Sequence, residues 1–298
     1  MVNSKVAFGD YLEKEKKYSV LTLRAYIDDL NSFEEFINRD GSLALEEADY
    51  NQIRNWIVFL VEKGLSNNSI NRKIASLKAF YKFLLYTKQI EVNPLQKHKA
   101  LKTAKNVQVP FSEAEMTAVF ERFDTSGFEG IRDRLVVELF YATGMRRTEL
   151  INLKINNYDA FAKTLKVLGK RNKERLIPLL GCTNDLIKKY LEYRGGLQEI
   201  TDSDMLILNL KGNKVSESFV YRLINSYFSS VSVKLKKSPH VLRHTFATHL
   251  LNNGADLNSV KELLGHASLS STQIYTHNSL AGLKEVYKKA HPRGRGSS

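Results

Sequence analysis

The chain has very little cysteine and no long apolar run. Cys182 is its single cysteine, so no disulfide can form within the chain and a reducing compartment is expected. No apolar stretch approaches the roughly 18 residues that a membrane-spanning helix needs. The first ten residues also lack the apolar segment of a secretory signal. These absences predict a soluble protein of the cytoplasm.

What the chain does have is a core-forming composition and a large positive charge. Of its 298 residues, 43% are hydrophobic, which is enough to build a folded interior. The length suits one large domain or two ordinary ones. The formal net charge of +13 favours a polyanionic partner, and the alternative is a basic protein whose charge only keeps it soluble.

The first hundred residues have the apolar spacing of helices. Three stripes of apolar residues recur at three- and four-residue steps, and they cover residues 22–37, 53–60 and 70–84. The third stripe also carries the polar residues Arg72, Lys73 and Ser76. A basic helix face is usually only solvated, but this one also suits a DNA backbone. These three residues are therefore predicted DNA contacts.

Two prolines separate this helical region from the rest of the chain. Pro94 and Pro110 enclose a lysine-rich segment of weak periodicity, which is typical of a linker. Ser112 and Glu115 then have the spacing of a capping box that begins a helix. The predicted order is a helical domain, a basic linker, a second domain and a flexible tail, at residues 1–96, 97–110, 111–292 and 293–298.

The second domain is predicted to be mainly helical, with one small β-structure. Residues 164–168 and 174–178 alternate apolar and polar side chains on either side of a basic turn, which is the pattern of a β-hairpin. Lys170 and Lys173 lie in this turn, from which an ammonium group can reach a DNA groove. Lys173 is a predicted DNA contact, and Lys170 is either a catalytic group or a second contact of that kind.

An arginine that could hold a phosphate follows the apolar helix around residues 135–140. Gly144 can end that helix, and Arg146 lies two residues later. The guanidinium of Arg146 could offer a forked pair of donors to a phosphate. The alternative is a salt bridge with Glu149, which could also orient the arginine.

Four residues near the C-terminus could also act on a phosphate. His240 and Arg243 are three residues apart, so one helix would point them the same way. His266 follows Gly265, a predicted helix end, and Tyr275 follows a serine-rich stretch that can begin a helix. Each histidine or tyrosine alone is more often a packing residue. Two arginines on one phosphate would, however, stabilise a phenolate nucleophile that is otherwise weak.

A zinc site is the rival interpretation of these histidines. His240 and His244 stand four residues apart, but no glutamate follows His240 and no cysteine lies nearby. Arg243 between them would repel a cation. Neither a metal nor another cofactor is predicted.

Taken together, these residues resemble the tyrosine recombinase family, also called the phage integrase family. The resemblance covers most of the chain, and residues 244–277 are most similar to the Xer site-specific recombinases. Arg171 departs from the group, which usually has glycine after the lysine. The motif positions that carry the resemblance are Gly144, Arg146, Glu149, Lys170, His240, Arg243, His244, His249, Gly265, His266 and Tyr275.

The resemblance implies a mainly α fold with a small β-hairpin or sheet. A helical core-binding domain and a catalytic domain would form a C-shaped clamp around DNA. Tyr275 would attack a phosphodiester to give a 3′-phosphotyrosyl bond, without ATP or metal. Arg146, Arg243 and His266 would hold the phosphate oxygens.

The same resemblance implies the remaining roles and the partners. Lys170 would protonate the leaving 5′-oxygen, and His240 would assist proton movement. The partners would be a double-stranded DNA recombination site on the nucleoid, further protomers in a homo- or hetero-tetramer, and a DNA translocase. An amphipathic helix at residues 280–290 is predicted to dock into a neighbouring protomer.

Three functions are compatible with these observations. The first is the resolution of chromosome or plasmid dimers, which would serve chromosome partition at cell division. The second is the same chemistry in the integrase of a mobile element. The third is a basic DNA-binding protein without catalysis, which Tyr275 argues against because binding alone does not need it.

Overall fold

The structure is a computed structural model that describes residues 3–39, 41, 43–103, 108–169, 174–234, 236–265 and 277–294. The chain divides into two compact units, residues 1–106 and 107–298. This division lies inside the segment predicted as the linker. Within the described ranges, no helix combines the length and the apolar character needed to cross a bilayer.

Unit 1 is a helical bundle around a core of aromatic and aliphatic side chains. The three helices predicted from apolar stripes are present, and the hydroxyls of Ser19 and Ser66 cap two of them. Trp56 is fully buried, with its ring 5.1 Å from that of Phe33. The helices are α1 Ser4–Asp10, which continues as a π-helical turn over Tyr11–Glu15, α2 Val20–Ile37, α3 Tyr50–Glu62 and α4 Asn67–Tyr86.

The start of the predicted linker is attached to α4. The Asn71 side chain donates to the Leu101 carbonyl and accepts from the Leu101 N–H, both at 2.9 Å. Asn67 donates to the Lys102 carbonyl at 2.8 Å. Residues 101–102 are therefore held on unit 1.

In its described part, unit 2 contains the predicted hairpin within a small antiparallel sheet whose strands lie in chain order. Its strands are β1 Tyr158–Asp159, β2 Thr164–Leu168 and β3 Glu174–Pro178. Leu165 pairs with Ile177, and Val167 pairs with Arg175. All four side chains are buried, so an arginine occupies an inward-facing strand position among apolar neighbours.

Eight helices complete the described part of unit 2, and the predicted capping box of Ser112 and Glu115 begins the first of them. They are α5 Glu113–Phe120, α6 Phe128–Thr143, α7 Arg147–Ile151, α8 Gly181–Gly195, α9 Glu217–Ser229, α10 Pro239–Asn252, α11 Leu257–Leu264 and α12 His277–Ala290. Short 3₁₀ turns lie at Ile155–Asn157 and Pro292–Gly294.

Helix α6 runs through the centre of the core, because every residue from 135 to 143 is buried. It ends as predicted at Gly144, which adopts a left-handed conformation with φ of 58°. A Cβ atom at this glycine would lie 2.4 Å from the Phe246 ring. The chain can therefore turn here towards Arg146 only with glycine in place.

The C-terminal segment packs against the end of α6. Tyr287 donates its hydroxyl hydrogen to the Ala142 carbonyl at 2.5 Å, and His291 Nε2 lies 3.1 Å from the Tyr141 carbonyl. Both side chains are buried. The helix predicted at residues 280–290 is thus present and packs on its own unit. Arg293 follows it and forms an ion pair with Glu138 at 3.2 Å.

Candidate active site

Arg146 stands at the first position before α7, where its backbone and side chain both contact Glu149. Glu149 accepts the Arg146 N–H at Oε2 and a side-chain N–H from Nη1 at Oε1, each at 2.7 Å. The salt bridge considered from the sequence is therefore present. It leaves the Arg146 side chain 34% exposed, so part of the guanidinium still faces outward.

Glu149 itself is buried and has a second arginine partner that the sequence reasoning missed. Arg175 donates from Nη1 to Oε1 at 3.0 Å and from Nη2 to Oε2 at 2.8 Å. Burial alone would raise the pKa of Glu149, but the hydrogen bonds and charge of Arg175, with those of Arg146, hold it at about 2. The group is a carboxylate at any physiological pH.

Arg243 is positioned by the ends of two helices. From α10 it donates Nη1 to the Gly144 carbonyl at 2.5 Å and Nη2 to the Leu264 carbonyl at 2.8 Å. These carbonyls lie at the C-terminal ends of α6 and α11, where the helix dipole favours a cation. Burial and the nearby charge of Arg146 lower the pKa of Arg243 to about 10, so it remains protonated near neutral pH.

The structure thus brings Arg146 and Arg243 together with Arg175 and Glu149. Three guanidinium groups against one carboxylate leave a formal excess of positive charge. A groove beside Arg146 continues along the hairpin to Gly169, and its lining includes Lys154 and Lys166, which pair with Asp204 and Glu174 at 3.4 and 3.3 Å. The arrangement suits an anionic ligand with several oxygens.

His240 lies in the first turn of α10, three residues before Arg243, as the spacing predicted. Its side chain is exposed, as is that of His244. Across the described ranges, no three His, Cys, Asp or Glu side chains converge as metal ligands would.

The remaining predicted site residues lie outside the described residues. They are Lys170, Arg171, Lys173, His266 and Tyr275. Their flanks are described. Strands β2 and β3 enclose residues 170–173, and Gly265 and α12 enclose residues 266–276. Gly265 ends α11 in a left-handed conformation with φ of 64°, as predicted for a helix end.

The predicted DNA contacts of unit 1 converge on a buried carboxylate. Asp29 accepts hydrogen bonds from both terminal nitrogens of Arg72, at 2.7 and 2.8 Å, and from Lys73 at 3.0 Å. Burial by itself would raise the pKa of Asp29, and these hydrogen bonds lower it. Arg72 keeps 53% of its side chain exposed.

Ser76 differs from the other two. It is fully buried and donates its hydroxyl hydrogen to Asp29 at 2.7 Å. The hydroxyl of Ser76 therefore has a partner inside the protein and not the predicted DNA phosphate. The reason is that Ser76 faces inward, towards α2.

The chain is similar to known proteins along nearly its whole length. Residues 111–281 match the Phage integrase family, and residues 6–88 match the Phage integrase N-terminal SAM-like domain. Tyrosine recombinase XerC of Bacillus subtilis (strain 168) is 41% identical, covering 96% of this chain and 95% of that protein. Tyrosine recombinase XerC of Staphylococcus carnosus (strain TM300) is 40% identical, covering 95% of each.

The fold has solved relatives as well. The crystal structure of the XerH site-specific recombinase bound to its difH substrate, a pre-cleavage complex, has a TM-score of 0.67. It is 23% identical and covers 99% of this chain and 84% of that one. This likeness shows a shared fold of a helical SAM-like domain and a catalytic domain.

Proposed function

The chain belongs to the phage integrase family and is a site-specific tyrosine recombinase of the Xer type, and from this premise we propose that Tyr275 cuts DNA. The observation that carries the proposal is the convergence of Arg146 and Arg243 at the end of α6, each on a fixed acceptor. A phosphodiester under attack gains negative charge, which two fixed guanidiniums stabilise.

In the proposed reaction the Tyr275 oxygen bonds to phosphorus and the bond from phosphorus to the 5′-oxygen breaks. Lys170 gives a proton to that 5′-oxygen, His240 assists removal of the tyrosine proton, and His266 adds a donor to the phosphate. The 3′-phosphotyrosyl bond conserves the phosphodiester for rejoining, so the step needs no ATP. Support comes from the matching motif positions and from the described arginines.

The proposal is tested with nicked suicide DNA that carries the source genome's candidate resolution site. Wild-type protein is expected to form a protein–DNA adduct that survives a denaturing gel, and Tyr275→Phe is expected to form none. An adduct with both proteins would place the nucleophile elsewhere. If the wild type and Tyr275→Phe both bind DNA but neither forms an adduct, at this site or at randomised sites, a non-catalytic DNA-binding protein would be favoured.

The role of Lys170 has its own test. Lys170→Ala is expected to slow cleavage of a normal phosphodiester on the order of 10²–10⁴-fold, the usual size of general-acid catalysis. A 5′-bridging thiol leaves without protonation, so it should restore the rate. Equal slowing on both substrates would remove the general-acid role.

We further propose that the protein resolves chromosome or plasmid dimers, because its curated relatives named above are XerC proteins. Deleting the gene should then raise the fraction of dimeric chromosomes, measured by cell filamentation and by pulsed-field gels. The alternative, integration of a mobile element, predicts no such change and an attachment site next to the gene.

The proposed assembly is a tetramer on two double-stranded DNA sites in the cytoplasm, at the nucleoid. A DNA translocase is a further proposed partner. Arg72, Lys73 and Lys173 would contact the DNA backbone. Helix α12, which packs on its own unit here, would exchange into a neighbour. Removing residues 280–298 should then abolish cooperative binding to paired half-sites, and unchanged cooperativity would exclude the exchange.

A further inference from the structure

Arg175 occupies a position that neither its strand nor its neighbours explain. It faces inward from β3 and is only 5% exposed. An apolar side chain would satisfy the alternation of this strand, because Ile177 is buried on the same face. Burying a guanidinium is costly unless every charge and donor finds a partner. A guanidinium at this position therefore calls for a role beyond filling space.

The partners of Arg175 belong to two separate elements of the site. Both terminal nitrogens bind Glu149 of α7, at 3.0 and 2.8 Å, and Nε donates to the Leu263 carbonyl of α11 at 3.1 Å. The next carbonyl, that of Leu264, accepts from Arg243. The last turn of α11 thus holds two arginines through adjacent carbonyls.

Gly265 makes this arrangement possible. A Cβ atom there would lie 3.0 Å from Cδ of Arg175 and 3.2 Å from its Nε. Its left-handed conformation also turns the chain directly into residue 266. Arg175 therefore lies against the point where α11 ends and the segment with His266 begins.

Arg175 also decides how Glu149 holds Arg146. Both carboxylate oxygens are engaged by Arg175, and Oε2 also accepts the Arg146 N–H. Among contacts within the described ranges, Arg146 gives Glu149 one side-chain nitrogen, Nη1. Without Arg175, the carboxylate would be free to accept both terminal nitrogens of Arg146 in the stronger forked geometry. The fork would then turn away from a phosphate.

We propose that Arg175 is a positioning residue for strand cleavage. It occupies both oxygens of Glu149, so that Arg146 presents its forked nitrogens to the phosphate. It also ties Glu149 to the end of α11 beside Arg243. It does not touch the phosphate itself. The inference rests on the proposed function, in which Arg146 and Arg243 hold the attacked phosphate.

The test compares two nicked suicide substrates that differ only at the cleaved phosphate, a normal phosphodiester and a methylphosphonate. The methylphosphonate lacks one charged oxygen and so depends less on a correctly placed arginine. Adduct formation is measured under single turnover at saturating DNA with full-length wild-type protein, Arg175→Met and Arg175→Lys. The readout is the ratio of the two rates, which does not change with the fraction of folded protein.

Arg175→Met is expected to lower the ratio of phosphodiester to methylphosphonate cleavage on the order of tenfold or more, since small misplacement of a catalytic group can cost 10²-fold. Arg175→Lys keeps one ion pair but has no fork, so its ratio should lie between those of Arg175→Met and the wild type. If Arg175→Met does not fold, Arg175→Lys alone decides the outcome.

Arg194→Met is the matched control. Arg194 is also a buried arginine, but it donates to the Ser203 and Met205 carbonyls, at 2.8 and 3.0 Å, away from this cluster. Its loss should lower stability and leave the ratio at the wild-type value. The same fall in Arg194→Met as in Arg175→Met would overturn the inference.

The positioning role of Arg175 and the proposed function can be excluded separately. Wild-type adduct formation with an unchanged ratio in both Arg175 variants would overturn the positioning role alone. Absence of an adduct from wild-type protein on both substrates would overturn the proposed function and this inference together.

Discussion

Both units contain a buried carboxylate that accepts hydrogen bonds from two cationic side chains, but the two carboxylates connect different things. Asp29 in unit 1 accepts hydrogen bonds from Arg72 and Lys73, which are neighbours in α4. Glu149 in unit 2 accepts hydrogen bonds from Arg146, which directly precedes the helix of Glu149, and from Arg175 of strand β3.

The difference lies in what each carboxylate fixes. Asp29 joins one helix to another, and it holds a basic face whose Arg72 remains half exposed. Glu149 fixes the place of one arginine relative to another, through Arg175 and the end of α11. Under the proposed function, the same ion-pair chemistry therefore serves stability and DNA binding in unit 1, and the geometry of strand cleavage in unit 2.

The largest contrast is expected from two glycines, one in each unit. Gly144 has a left-handed φ of 58° and no room for a Cβ, which would lie 2.4 Å from Phe246 and 2.8 Å from Leu264. Gly64 has a φ of 76° with nothing within 4 Å. Gly144→Ala should cost about 2–5 kcal/mol of unfolding free energy from strain plus overpacking, and Gly64→Ala only about 1–2 kcal/mol.

Denaturant unfolding measures both costs, and the suicide substrate measures cleavage. Gly144→Ala should also abolish adduct formation because it moves the chain that leads to Arg146. Equal destabilisation by the two substitutions would show that the end of α6 can relax around a side chain.

Effects of intermediate size are expected from substitution of the two carboxylates, Glu149 and Asp29, and these effects should differ in kind. Glu149→Gln leaves Arg175 buried without a charged partner, so the cleavage rate at saturating DNA should fall on the order of 10²-fold. Asp29→Asn should lower the unfolding free energy by about 1–3 kcal/mol and weaken DNA binding, with little change in the saturated rate. A comparable loss of saturated rate in Asp29→Asn would end the distinction between the two units.

The last expected effect is a pH dependence of stability that comes from a buried histidine of unit 2. Burial lowers the pKa of His291 from its usual value near 6.5 to about 3. The unfolded chain therefore binds a proton below about pH 6.5 while the folded chain does not. The stabilisation is complete above that pH and is lost as the pH falls towards 3, by about 1.4 kcal/mol per pH unit.

His291→Gln keeps a donor for the Tyr141 carbonyl and removes this titration. The variant should show a flatter fall in unfolding free energy between pH 6.5 and 5 than the wild type. The slope is reduced rather than abolished, because burial also lowers the pKa of His249 and of His98. Parallel slopes for the two proteins would mean that His291 is not a neutral buried group.

Much of this fold could be read from local patterns. The hairpin strands, the capping box at Ser112 and the end of α6 at Gly144 all depend on residues within a few positions of one another. The pair Arg146 and Glu149 belongs to the same class, since three residues separate them. Such features are encoded where they occur, so a sequence predicts them well.

The missed features join distant positions. Arg175 and Glu149 are 26 residues apart, and Ser76 and Asp29 are 47 apart. Nothing in the periodicity of α4 predicts that Asp29 of α2 lies beside it, so the sequence alone assigns Ser76 to the basic face. A usable signal did exist for Arg175, because an arginine replaced an apolar residue at an inward strand position. Lys170, His266 and Tyr275 remain predictions.

Residues 266–276, which contain the proposed nucleophile Tyr275, are flanked on both sides by anchored segments. On one side, Arg175 and Arg243 hold the last carbonyls of α11. On the other, Tyr287 of α12 holds the end of α6, next to the turn that carries Arg146. A chain tethered at two nearby points has a high effective concentration at any target within its reach. Under the proposed function, releasing α12 would leave one tether and lower the effective concentration of Tyr275 at the phosphate, with Arg146 and Arg243 unchanged.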